Sequence, residues 1–153
     1  MKQVFALIVA FSLLSACKSP ERGAPEIETL SKKLFDTFRS NDMEKMAILL
    51  PDKGTFRKIE AEKNKSYDNI DAVYDQFLSD ANTTNKQIHD AVTTWDKTKY
   101  LRSTNELMKE GKLTFAKVST KFDNNNEPYK IEFTAAKFNN RWYYYGDAHL
   151  MVK

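Results

Sequence analysis

The hydrophobic period of this chain changes once, at Gly111, and that change limits what the chain can fold into. Before it, apolar residues recur every three to four positions, the spacing of one helix face; after it they alternate, the spacing of a half-buried strand. Ile27, Leu30, Leu34 and Phe38, flanked by Phe35, predict a first helix over residues 26–39. Ser40-Asn41-Asp42 breaks it. Asn41 followed by Glu44 has the pattern of a capping box, opening a short helix through Met43, Met46, Ala47 and Leu50. Pro51-Asp52-Lys53-Gly54 reads as a turn, so the two helices form a hairpin. Phe56 and Ile59 anchor at most one short helix in residues 55–65. Its basic residues Arg57, Lys58, Lys63 and Lys65 read as a solvated face, because Glu60 and Glu62 interrupt the charge.

A longer stripe runs through Ile70, Val73, Tyr74, Phe77, Leu78, Ala81, Ile88, Val92 and Trp95. It skips the polar Asn82-Thr83-Thr84-Asn85 and resumes in phase two turns later, which predicts one long helix capped by Ser66 or Asp68. Leu101, Leu107 and Met108 fall in a further segment that Gly111 closes as a C-terminal cap. Then residues 113–122 and 129–138 alternate, and residues 141–145 are rich in aromatics, a strand with room to run to Val152. Residues 123–128 read as a loop and Asn139-Asn140 as a two-residue hairpin turn. Helices first and strands last give an α+β domain: a helical hairpin and one long helix packed on a C-terminal three-stranded antiparallel meander.

The amino terminus carries a different signal. Lys2 precedes an apolar run, VFALIVAFSLL over residues 4–14, which is well short of the ~20 residues needed to span a bilayer. It ends at Leu14-Ser15-Ala16-Cys17, and Cys17 is the only cysteine among 153 residues. These four residues resemble the lipobox of bacterial lipoproteins. The resemblance implies a diacylglyceryl group on the Cys17 sulfur, cleavage after Ala16, and in many bacteria an N-acyl group on the new amine. On this reading residues 1–16 are a signal peptide, residues 17–25 the lipidated cysteine and a flexible tether, and residues 26–153 a single domain. No cofactor is expected beyond that covalent lipid. A buried methylene is worth ~0.8 kcal/mol, so two or three chains hold the protein on the membrane. The body has no second thiol and must be stabilised by packing alone. Lys18-Ser19-Pro20-Glu21-Arg22-Gly23-Ala24-Pro25 has no apolar period and spans ~28 Å when extended, which lets the domain stand clear of the headgroups. In lipoproteins an aspartate after the cysteine favours retention at the inner membrane; Lys18 stands there, so in a cell with two membranes the resemblance implies the outer membrane, facing the periplasm.

The layout of residues 26–153 is similar to small exported domains with an NTF2-like or cystatin-like fold. That resemblance implies a conical cavity between a curved sheet and the helices, used by some relatives for catalysis and by many for binding or assembly. It transfers no functional residue.

Few residues can do chemistry. The chain holds two histidines. His89 lies towards the polar side of the long helix. Asp147 and His149 are two apart on the last strand and project from one face, so a carboxylate orienting an imidazole would form a general base there. Against this, Gly146 can shift the phase through a bulge. Tyr143 and Tyr145 share that face, whereas Trp142 and Tyr144 share the other and would form a contact patch for a partner if uncovered. No metal set occurs at ligand spacing. A formal charge of +3, from 24 basic and 21 acidic residues, carries no clustered basic face for nucleic acid. The sequence therefore favours a membrane-anchored, non-enzymatic binding or assembly module whose ligand is an envelope protein or a small apolar molecule. The alternative is a small cavity enzyme using Asp147 and His149.

Overall fold

The computed structural model describes residues 21–152, so Cys17 and the apolar run before it lie outside the described residues. Four helices come first: α1 (Ile27–Ser40), α2 (Met43–Leu49), α3 (Lys53–Glu62) and α4 (Ile70–Ala91). A single 3-10 turn, Trp95–Lys97, leads into four strands: β1 (Thr98–Glu110), β2 (Leu113–Asn124), β3 (Glu127–Phe138) and β4 (Arg141–Val152). They form one antiparallel sheet in chain order, β1-β2-β3-β4. The α+β class holds, but the meander has four strands where three were expected.

The added strand is β1, which holds Leu101, Leu107 and Met108. Gly111 does not cap a helix; with Lys112 it turns β1 back onto β2, at φ 62. The alternation was hidden because β1 is an edge strand, exposed along most of its length, and because the pairing slips between Tyr100 and Arg102. The bulge at Leu101 shifts the strand's phase. The expected loop at residues 123–128 is likewise tighter. Asn124 pairs with Glu127, leaving Asn125 and Asn126 as a two-residue turn at φ 55 and 69. Asn139 and Asn140 do the same at φ 49 and 59. Positive φ at both central positions is the type I′ pattern, whose twist matches that of the flanking strands. Asn140→Val should therefore lower stability by ~1–2 kcal/mol in urea unfolding, and Asn140→Gly should not.

Helix boundaries follow the side chains that satisfy the first free amides. Asp42, rather than Asn41, caps α2, its carboxylate accepting from Glu44 and Lys45 at 3.1 and 3.0 Å. Asn41 instead ends α1 in the left-handed region at φ 50. Asp52 caps α3 by accepting from the Thr55 amide at 2.7 Å, so the expected turn is the first turn of a helix. That hydrogen bond holds its carboxyl below the usual carboxylate range. Asn69, not Ser66 or Asp68, caps α4. As expected, α4 is continuous through its polar stretch. Asn85 is fully buried there, and its amide donates to Asn41 Oδ1 at 3.0 Å and to Met43 Sδ at 3.1 Å, tying the long helix to the α1–α2 corner.

The main core lies between α1, α2 and α4 and the inner face of the sheet. Phe35 meets Phe122, Tyr100 and Trp95 at ring distances of 5.2, 5.7 and 5.9 Å. Val118, Phe122, Ile131, Phe133, Trp142 and Tyr144 fill the sheet side. His89 is half-buried rather than on a polar face: Nδ1 donates to the Phe38 carbonyl at 2.9 Å, and its ring stacks on Trp95. A smaller core lies on the outer face, where Ile59 of α3 covers Leu113, Phe115 and Ala136. With α3 over the outer face and the other helices over the inner face, the helices reach around the β4 edge.

The stretch expected as a tether is partly fastened to this body. Gly23 N–H donates to Ile48 O at 2.8 Å, and Ala24 and Trp142 exchange backbone bonds at 2.8 and 2.7 Å. Arg22 Nη1 donates to Ala47 O at 2.8 Å, while Arg141 donates to the carbonyls of Arg22 and Gly23 at 2.5 and 3.2 Å and pairs with Glu21. Gly23 is required here: its φ is +70, and a Cβ would lie 2.7 Å from Trp142 O. A segment without an apolar period is held because its backbone, not its side chains, supplies most of these contacts.

Candidate functional site

The most unusual backbone in the sheet is in β4. From Tyr144 to His149, five steps of β4 face three steps of β3, from Ala135 to Glu132. The two extra residues form a bulge with Gly146 at φ 116 and Asp147 at φ 56. A non-glycine residue at positive φ is uncommon, and such conformations concentrate at functional positions.

Three adjoining hollows meet at Tyr145, beside this bulge. The largest, ≈ 510 Å³, lies between α3 and α4 and is walled by Phe56, Phe77 and Tyr145. A second, ≈ 360 Å³, is bounded by Asp80, Thr84, Tyr144 and the bulge itself. The third, ≈ 470 Å³, opens on the outer face over Phe115 and Thr134. Phe56 stacks on Phe77 and Tyr145 at 5.0 and 6.2 Å, giving a continuous aromatic wall. Another hollow, ≈ 490 Å³, runs between α1 and α2, but its rim is Lys33, Asp36, Arg39 and Lys45 with no aromatic wall.

The floor of the cleft holds ionised side chains out of solvent. Glu60 is 4% exposed. Its Oε2 accepts from the Tyr67 hydroxyl at 2.5 Å and its Oε1 lies 3.6 Å from Lys63 Nζ. The Lys63 ammonium lies 5.0 Å from the Tyr145 ring centre and 5.4 Å from that of Phe115, within cation–π range. Of the basic residues expected on a solvated face, Arg57, Lys58 and Lys65 are exposed as expected, whereas Lys63 turns with Glu60 into the cleft. A signal was present: Phe56, Ile59, Glu60 and Lys63 fall on one helix face at i, i+3, i+4 and i+7.

Hydrogen bonding to the Glu60 carboxylate pushes Tyr67 up to about 12, because ionising the phenol would lose the bond and set two anions together. A raised folded value means that this contribution is present below the ordinary phenol range near 10 and is lost as pH rises from about 10 through about 12. In an absorbance titration at alkaline pH, Glu60→Gln should bring one tyrosine, Tyr67, down towards the ordinary range, while Tyr144, raised by burial, stays high.

The residues singled out from sequence divide around this site. Tyr145 stands at its centre, and Asp147 and Tyr144 contribute to its rim and wall. Trp142, Tyr143 and Tyr144 are all buried, at 7%, 7% and 1% exposure, so the uncovered aromatic patch does not form. Tyr143 packs on Gly23 of the fastened N-terminal segment. Asp147 and His149 are near each other but not joined as carboxylate and imidazole. The Asp147 carboxylate accepts from Thr134 Oγ1 at 3.1 Å, while His149 Nδ1 donates to the Asp147 backbone carbonyl at 3.0 Å. His149 Nε2 faces Glu132 at 3.5 Å, on the exposed outer face beside Lys117 and Lys130. The bulge gives each residue its own β3 neighbour and leaves His149 outside the cleft.

Among the described residues, no group of three or more histidines, cysteines, aspartates or glutamates is placed to hold a metal ion, and no helix is long and apolar enough to cross a membrane. No family model, curated protein or solved structure matches the chain.

Proposed function

We propose that this chain is a bacterial envelope lipoprotein, anchored through lipid on Cys17, whose α+β domain is a non-enzymatic binding module. The observation that carries the anchor is the sequence Leu14-Ser15-Ala16-Cys17 placed directly after an apolar run too short to span a bilayer. Lys18 after the cysteine supports the outer membrane, with the domain in the periplasm. The binding role is supported by the cleft at Tyr145: an apolar, aromatic wall with a few convergent polar groups is the usual make-up of a small-ligand site. Phe56, Phe77 and Tyr145 suit a flat apolar body, and Glu60, Lys63 and Tyr67 suit a polar head. Helices followed by a meander support the NTF2-like or cystatin-like part of the reading, with the hollow at the β4 edge instead of a cone beneath the sheet. An envelope protein remains the other class of ligand, since Leu101, Leu107 and Met108 leave apolar surface on the free β1 edge.

The test is fractionation with a radiolabelled fatty acid. The parent chain should carry label and pellet with membranes. Cys17→Ala should carry none and appear as an unprocessed or soluble product. A parent without label that fractionates like the variant contradicts the anchor. For the cleft, native mass spectrometry of the protein taken from envelopes should show a bound small molecule that Tyr145→Ser loses.

A further inference from the structure

The expected tether reached ~28 Å; the fastened N-terminal segment removes about half of it. Residues 21–24 are held by the backbone and arginine bonds to Ile48, Ala47, Trp142 and Arg141 described above. Only Lys18, Ser19 and Pro20 then separate Cys17 from a residue fixed on the domain. Four Cα steps, from residue 17 to residue 21, reach ~14 Å at full extension. A lipidated cysteine sits at the boundary of the hydrocarbon, and the headgroup layer of one leaflet is itself ~5–8 Å deep. Crossing that layer uses about half the reach.

Register decides which end of the domain is held there. Ala24 pairs with Trp142, which follows the Asn139-Asn140 turn. Glu110 pairs with Leu113 and Phe138 with Arg141, so the Gly111-Lys112 turn lies at the same end of the sheet. The Asn125-Asn126 turn is at the other end, separated by the length of β3 (Glu127–Phe138), ~36 Å. The exposed apolar pair Leu107 and Met108, 60% and 44% exposed, lies on β1 close to the tethered end.

We propose that the domain is seated directly on the phospholipid headgroups of its own leaflet by the sheet end that carries the Gly111-Lys112 and Asn139-Asn140 turns. The inference rests on lipidation of Cys17. The leash, not charge, sets the height, so seating is insensitive to salt. It also turns part of the cleft towards the membrane, because the C-terminal end of α3 lies against Gly111: a Cβ there would be 3.4 Å from Glu62 O.

The experiment uses the full lipidated chain in phosphatidylethanolamine–phosphatidylglycerol vesicles. With Cys17 blocked as a thioether, a fluorophore goes on one new thiol, either Lys112→Cys at the near end or Glu127→Cys at the far end; both positions are exposed. Headgroup-labelled acceptor lipid should quench the residue 112 label at least fivefold more than the residue 127 label, in low salt and in 0.5 M salt alike. Ten Gly/Ser residues inserted between Pro20 and Glu21 should abolish the difference. Equal quenching at the two labels, or loss of the residue 112 signal in salt, overturns the seating. Intact mass separates the two failures: lipid on Cys17 with equal quenching sinks the seating alone, and no lipid on Cys17 sinks the anchor with it.

Discussion

Phe122→Ala should lower the stability of the domain by ~3–5 kcal/mol, read as the free energy of urea unfolding. Phe122 has no exposed surface and is the point where the inner face of the sheet meets the helices. Its ring stacks on Trp95 at 5.7 Å and on Tyr129 at 5.4 Å, and lies 5.2 Å from Phe35 of α1. Removing it deletes the ring's transfer energy and leaves a cavity bordered by rings, which cannot collapse without moving both α1 and the turn at Trp95. The midpoint of thermal unfolding should fall by ~10–20 °C for a domain of this size. Phe122→Leu, which keeps most of the volume, should cost less than half as much. With no cysteine beyond Cys17, the body has no disulfide to offset the loss.

Glu60→Ala should cost ~3 kcal/mol even though it removes only one carboxylate. The Glu60 and Lys63 side chains are 5% and 11% exposed, so the variant leaves a desolvated ammonium without its anion and the Tyr67 hydroxyl without its acceptor. Surface pairs such as Lys86–Asp90, with side chains 68% and 54% exposed, should by contrast cost less than ~1 kcal/mol when broken. The double variant Glu60→Leu/Lys63→Met separates the two causes. If the single loss reflects an orphaned charge, the double variant should return to within ~1 kcal/mol of the parent, since replacing a buried pair by apolar groups is often neutral. A double variant as unstable as Glu60→Ala would show that the pair itself is the stabilising element. On the proposed binding role, the double variant should also lose the small ligand proposed for the cleft, which would link the pair to binding and not to stability.

What could be read from the sequence follows from what leaves a periodic trace. α1 and α4 each bury one stripe against one surface, so their spacing is regular, and the polar interruption in α4 was bridged because the stripe resumed in phase. β2 and β3 alternate over most of their length, where the inner face alone is covered, although Phe115-Ala116 and Ala135-Ala136 are buried on both faces where α3 crosses the outer one. β1 leaves no such trace, because it is exposed along most of its length and carries a bulge at Leu101. The fastening of residues 21–24 is invisible to periodicity for a related reason: backbone amides and Arg141, a residue distant in sequence, make the contacts. In the candidate site, Tyr145 and Asp147 were legible as polar and aromatic residues around Gly146. The wall opposite them was not, because Glu60 and Lys63 on a basic helix look like solvated charges until α3 is known to pass over the outer face. The bulge that separates His149 from the Asp147 carboxylate was legible only as a possibility raised by Gly146; its size depends on pairing with β3.

Anchoring at Cys17 is read out by the mass of the N-terminal peptide recovered from membranes after trypsin. The expected peptide begins at Cys17, carries a diacylglyceryl group on sulfur, and is accompanied by no peptide from residues 1–16. A peptide spanning the Ala16–Cys17 bond, or one in which Cys17 bears a free thiol, would contradict the anchor.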